Sequence, residues 1–139
     1  MSDLQRFKEA QRRDFDTALA EIKNGRKQSH WMWYIFPQIH GLGFSSMSAY
    51  YAIKNLEEAK DFLNDPYLGG NLRKISEALL ELDTDDPHRV FGSPDDLKLL
   101  SCMTLFEAAD GKGGVFTKVI EKYYKERRDR KTEKMLVRG

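Results

Sequence analysis

Apolar positions in this chain recur at steps of three and four over most of its length, the spacing of helices that each bury one face. Leu4, Phe7, Gln11, Phe15, Ala18, Leu19 and Ile22 form the first run, behind Ser2 or Asp3 as cap, and Asn24-Gly25 ends it with residue types that tolerate left-handed backbone. A short helix is expected from Ser45 or Ser46, carrying Met47, Tyr50, Tyr51 and Ile53; another, capped by Asn55, carries Leu56, Ala59, Phe62 and Leu63. Asp65-Pro66 marks a break, because the residue before a proline is pushed out of the helical region. The next helix is read from about Gly70 to Leu82, followed by a loop through Asp83 to His88. Ser93 as cap, Pro94 at the first helical position and Asp95 and Asp96 in the first turn open a helix to about Ala109. Glycines 111, 113 and 114 end it, and a last helix from about Val115 carries Phe116, Val119, Ile120, Tyr123 and Tyr124. Tyr34-Ile-Phe36 and Arg89-Val-Phe91 read as short strands. The pattern predicts an all-α protein: a single compact domain of about six helices over residues 1–124, one long irregular connector at 26–43, and a basic tail at 125–139 that frays or extends the last helix.

Composition changes this picture little. With 139 residues and 40% apolar content the chain suits one soluble domain, no stretch approaches the ~20 apolar residues of a membrane span, and no signal-peptide core opens it. A cytoplasmic location and no membrane partner are therefore expected. One cysteine, Cys102, excludes an internal disulfide and reads as a small buried apolar residue. The net charge of +1 is unevenly spread: residues 125–139 hold seven Lys or Arg against three acids, leaving the tail at +4 and the rest at −3. Such a tail suits a nucleic acid, but a cation-rich helix end predicts the same residues and no nucleic-acid-binding signature accompanies it, so nucleic acid is not the expected partner.

Candidate chemistry concentrates in the connector. Both tryptophans, Trp31 and Trp33, fall there with Arg26, Lys27, Ser29 and His30. In an extended segment the two indoles face the same side and make a stacking wall for a flat ring, with Lys27 and His30 meeting phosphate; core anchoring of one or both indoles is the alternative. Gln38 and Gly41-Leu-Gly43 follow, and serines 45, 46 and 48 stand where a helix start binds anions or is merely capped. The third cluster is Asp95, Asp96, Lys98 and Ser101, in which Asp95, Lys98 and Ser101 share a helical face. Ser29-His30 lacks the glycine elbow of a serine hydrolase, and His30, His40 and His88 lie at no metal-ligand spacing, so neither a metal site nor a cofactor is expected.

The run Lys27-x-Ser29-His30-Trp31-Met32-Trp33 with Ile35-Phe36-Pro37-Gln38, then Gly41-Leu-Gly43, Tyr51-Ala52-Ile53, Glu58-Ala59, Leu68-Gly69, Phe91-Gly92, Lys98-Leu99, Ser101 and Met103-Thr104-Leu105-Phe106, resembles the bacterial domain-of-unknown-function family 1810. The resemblance covers about residues 4 to 125 and implies a small, mostly helical cytoplasmic protein with no established reaction. Asn71 departs from the arginine common after Leu-Gly-x in that pattern, and Cys102 from a serine.

Three functions are open to these residues. The first is an enzyme acting on a nucleotide-derived small molecule at an N-glycosidic or ADP-ribose-like group, with Asp95, Asp96 and His30 as catalytic candidates. Lys27, Ser29, Trp31, Trp33, Gln38, Lys98 and Ser101 would then bind the ligand. The second is a non-catalytic or stress-response module that binds a small, phosphate-bearing molecule in the same pocket. The third is a nucleic-acid-associated protein using its basic tail. The sequence sets no oligomeric state.

Overall fold

The first helix, α1 (Gln5–Lys23), buries Phe7, Ala10, Gln11, Phe15, Ala18, Leu19 and Ile22, the residues its spacing selects. Asp3 accepts a hydrogen bond from the Gln5 amide (3.0 Å), and Gly25, at φ +83°, turns the chain away. Ser2, the alternative cap, lies outside the described residues: the computed structural model describes residues 3–138, and the side chains of 3–137.

Nine helices occur among the described residues, three more than the periodicity suggests, and no named strand. After α1 come α2 (Met32–Ile35), α3 (Ser46–Tyr50), α4 (Leu56–Asn64), α5 (Pro66–Leu80), α6 (Pro87–Phe91), α7 (Asp95–Asp110), α8 (Val115–Tyr124) and α9 (Arg130–Arg138). Both expected strands are helical turns. Tyr34 and Ile35 belong to α2, whose packing overrides the β-preference of an aromatic and β-branched pair. Arg89-Val-Phe91 lies in α6, opened by Asp86, which accepts from the His88 amide (3.0 Å), with Pro87 in the first turn. The remaining extended pairing is one isolated parallel bridge, Ile39 with Ile53.

The break at Asp65-Pro66 stands, but α5 starts there rather than near Gly70. Asp65 closes α4 and caps α5, accepting from the Tyr67 and Leu68 amides (3.0 Å each). Likewise α7 begins one residue later than expected. Pro94 precedes its first helical residue, Asp95, and no side chain caps it.

Helix α7 is the centre of the fold, buried continuously from Ser101 to Glu107 and packed against α4, α6, α8 and α9. Cys102 sits there at 0% exposure, and burial pushes its thiol pKa up. The segment beyond Tyr124 turns through Lys125 and Glu126, both with positive φ, and returns as α9 against α7. Thr132 is buried there, and Met135 and Leu136 pack on the core. No helix among the described residues is long and apolar enough to cross a membrane.

Gly69 sets the approach of α5 to α4. A Cβ there would stand 2.0 Å from the Leu63 carbonyl oxygen, whereas one on Gly70 would meet nothing within 4 Å. Backbone cannot yield as a side chain can, so Gly69→Ala should destabilise by about 2 to 3 kcal/mol. Gly70→Ala should stabilise by up to about 1 kcal/mol through helix propensity. Urea unfolding of both variants checks the contrast, and equal effects would refute the close approach.

Candidate functional site

The connector folds back onto α1 because one carboxylate collects its polar groups. Glu21 lies in the last turn of α1, where the helix dipole disfavours an acid. Its Oε1 accepts from the amides of Gln28 (2.7 Å) and Ser29 (2.8 Å) and from the Trp31 indole (2.9 Å), and its Oε2 from the Ser29 hydroxyl (2.6 Å). Burial alone would raise this carboxyl's pKa, but the four donors outweigh it and bring it from an ordinary 4.5 to about 2. Glu21 escaped the sequence reading; its signal was an acid at a helix end that disfavours acids.

This anchoring corrects the stacking wall. Trp31 precedes the first turn of α2 and Trp33 lies within it, and successive helical residues rotate by about 100°, so the two indoles diverge. Trp31 is a core residue at 1% exposure, packed against Phe36, while Trp33 is half-buried. Ser29 is engaged by Glu21 and does not act as a free hydroxyl. Ser45 caps α3, accepting from the Ser48 amide (3.1 Å).

Lys27 and the start of α7 meet beside these indoles. The Lys27 ammonium lies 3.0 Å from Asp95 Oδ2, and Lys98 Nζ 3.7 Å from Asp95 Oδ1. Each ammonium also faces an indole, Lys27 at 5.1 Å from the Trp31 ring and Lys98 at 5.7 Å from Trp33. One carboxylate thus sits between two cations, each braced by an aromatic face.

Lys98 reaches from this triad into a cleft of about 600 Å³ between the connector, α7 and the start of α9. Gln38, Lys98 and Ser101 line it together with Arg130 and Lys131. The Gln38 backbone is fixed because its carbonyl accepts from the Ile53 amide (2.9 Å). Ser101 Oγ lies within hydrogen-bonding distance of the Leu97 carbonyl (3.2 Å) and of Asp129 (3.3 Å). Asp129, the acid in the wall, also accepts from the Thr132 amide (3.0 Å) and hydroxyl (2.6 Å). Arg130 and Lys131 have no carboxylate partner among the described residues. Sequence reasoning put these two in a solvated tail; the turn at 125–129 brings them to the cleft.

The three catalytic candidates are not assembled. Asp95 is engaged by two ammonium groups; Asp96 accepts from the Leu97 amide (2.9 Å) and lies 3.5 Å from His88. His30 is exposed, and among the described residues no hydrogen bond joins its ring to either aspartate. Asn71 lines neither this cleft nor the triad. It donates to Gln11 (3.0 Å), whose amide donates to the Tyr34 carbonyl (2.9 Å), so it serves the packing of the connector.

The architecture and the cleft define a single-domain helical protein in which Lys98, Arg130 and Lys131 share a cleft with the apolar Leu42, Pro94 and Leu97, between a connector and a central helix. The chain belongs to the family described as Protein of unknown function (DUF1810), whose model matches residues 1–136, the family its connector resembles. It is similar to a solved structure, the conserved hypothetical protein Rv1873 from Mycobacterium tuberculosis at 1.38 Å, with 39% identity and a TM-score of 0.94, over 97% of this chain and 96% of that one. No curated protein matches the chain.

The Glu21 network fixes a pH dependence. A carboxyl whose folded pKa is depressed stabilises the fold above its unfolded pKa of 4.5 and loses that contribution as pH falls through about 2. Glu21→Gln should therefore be less stable than the natural protein at neutral pH, with the gap narrowing from pH 4.5 towards 2. Urea unfolding across that range checks it, and a gap as wide at the acid end as at neutrality would show that ionised Glu21 is not the anchor.

Proposed function

We propose that this protein binds a small phosphate-bearing molecule in the cleft of Gln38, Lys98, Ser101, Arg130 and Lys131. One observation carries the reading: two cations without carboxylate partners among the described residues line, with Lys98, a cleft that also offers an amide and a hydroxyl. Phosphate oxygens accept several charge-assisted hydrogen bonds at once, and arginine supplies them as a planar fork. The Gln38 amide and Ser101 hydroxyl then add orientation, as polar groups do in small-molecule sites.

Catalysis on that ligand is a second reading, favoured by the position of Asp95 one side chain from the cleft, 3.7 Å behind Lys98. A ligand phosphate that draws Lys98 forward would loosen its pairing with Asp95 and present a carboxylate to the substrate. The basic tail gives less support to a nucleic-acid function, since Arg128 is spent on Glu107 (2.7 Å) within the fold.

Thermal-shift measurements with nucleotides, sugar phosphates and pyrophosphate test the binding reading, because a ligand that binds only the native state raises its melting temperature by mass action. Lys98→Ala and Lys131→Ala should each weaken a binding ligand by about tenfold or more, a loss of ~1.4 kcal/mol, and added salt should weaken it further. His30→Ala should leave affinity unchanged. Binding indifferent to both lysine substitutions would place the ligand elsewhere, and product formation that Asp95→Asn abolishes while binding persists would favour the second reading.

A further inference from the structure

A second cleft, sharing no lining residue with the first, opens between the end of α1 and α6. It encloses about 640 Å³, and its walls include Gly25, Arg26, Lys27, His88, Arg89 and Gly92, with no Asp or Glu among them. Its two sides are tied together, since the Lys27 amide donates to the Val90 carbonyl (2.7 Å). Each side ends at a glycine of positive φ, +83° at Gly25 and +71° at Gly92, with open space where a Cβ would stand.

The charges in this cleft are unequally matched. Lys27 is paired with Asp95, and His88 lies 3.5 Å from Asp96. Those two carboxylates belong to α7 behind the cleft, and they leave Arg26 and Arg89 without a carboxylate partner among the described residues. Arg26 and Arg89 come from the two sides of the cleft, and an oxyanion between them can accept from both guanidinium forks.

We infer that this cleft is a separate oxyanion site in which Arg26 and Arg89 grip a phosphate group, either the free ion or a phosphomonoester. A dianion matches two cations that have no carboxylate partner among the described residues, and the tied backbone fixes the spacing of the walls before the ligand arrives. The site shares no lining residue with the cleft at Lys98, and Arg26 and Arg89 take no part in the Lys27–Asp95–Lys98 pairing that lies between the two.

Amide resonances of Gly25 and Gly92 make the test, followed by NMR as inorganic phosphate is added to the full chain at low ionic strength. In the natural protein both should shift in a saturable way. Arg26→Ala/Arg89→Ala should weaken the response at least tenfold; both side chains are exposed, so the fold should persist. Arg26→Lys/Arg89→Lys, which keeps charge but loses the forks, should be intermediate. Lys131→Ala, in the first cleft and not paired with Asp95, should leave the two glycine responses unchanged, which separates this site from the first. Glycerol 3-phosphate, titrated in parallel, identifies the preferred form as the one that saturates at lower concentration. The inference is overturned if neither glycine responds in the natural protein, if the double alanine variant responds as strongly, or if Lys131→Ala abolishes the response.

Discussion

The Glu21 carboxylate is the constraint on which the rest of the site depends. Four donors from Gln28, Ser29 and Trp31 converge on it, and all four lie in a stretch without regular structure. Backbone amides in such a stretch must find acceptors or remain in water, and a charged acceptor gives each bond more than a neutral carbonyl would. Glu21 sits on a long helix whose opposite face is core, so it offers a fixed point. Once Trp31 is drawn inward, its ring faces Lys27, and Lys27 reaches Asp95 at the head of α7. The connector is thereby joined to two helices at once through one side-chain chain of contacts.

Other buried acids repeat this device. Glu58, 2% exposed, accepts from Arg6 (3.1 Å) and from the Lys54 amide (3.1 Å), while Arg6 also donates to the carbonyls of Tyr50 and Ala52. Glu107, 5% exposed, meets the Arg128 guanidinium and the Thr117 hydroxyl, and Arg128 holds its carboxyl below the usual range against the opposing effect of burial. In each case the partner comes from a distant part of the sequence. Such pairs add little net stability compared with an apolar core, but leaving one half buried alone is costly, so they fix which segments meet. The Glu107–Arg128 pair fixes the turn at 125–129, and that turn decides where Arg130 and Lys131 point.

The longer helices were legible because a helix that buries one face writes that face into its spacing. Phe7 to Ile22 in α1 and Phe116 to Tyr123 in α8 are such cases. Short helices leave no such mark. Four or five residues make one turn, too few to separate period 3.6 from period 2, so Tyr34-Ile-Phe36 and Arg89-Val-Phe91 read as strands. Asp86-Pro87, within the segment 83–88 that reads as a loop, is the capping pair that opens α6. Of the candidate site residues, Gln38, Lys98 and Ser101 meet in one cleft, Lys27 and Asp95 lie beside it, and Ser29 and Trp31 turn inward to Glu21. A sequence identifies residues able to bind, but not which competing partner takes them. Glu21 was that competitor, and nothing in the connector itself announces a carboxylate on the preceding helix.

Charge follows the same logic across the molecule. With a net charge of only +1 the chain has no overall attraction for anions. Its carboxylates, however, are drawn upon by the fold: Glu21 by the connector, Glu58 by Arg6, Glu107 by Arg128 and Asp129 by Thr132. An acid accepts backbone amides, and a buried one must, whereas a long cationic side chain can run its stem along the surface and leave its head in water. Folding therefore turns these four acids towards donors within the fold, even Asp129 in the wall of the first cleft. Arg26 and Arg89 in one cleft, and Arg130 and Lys131 in the other, belong to the cations without a carboxylate partner among the described residues. A nearly neutral chain can in this way gather cations locally: the wall of one cleft has no acid, and the acid in the wall of the other, Asp129, is held by Thr132.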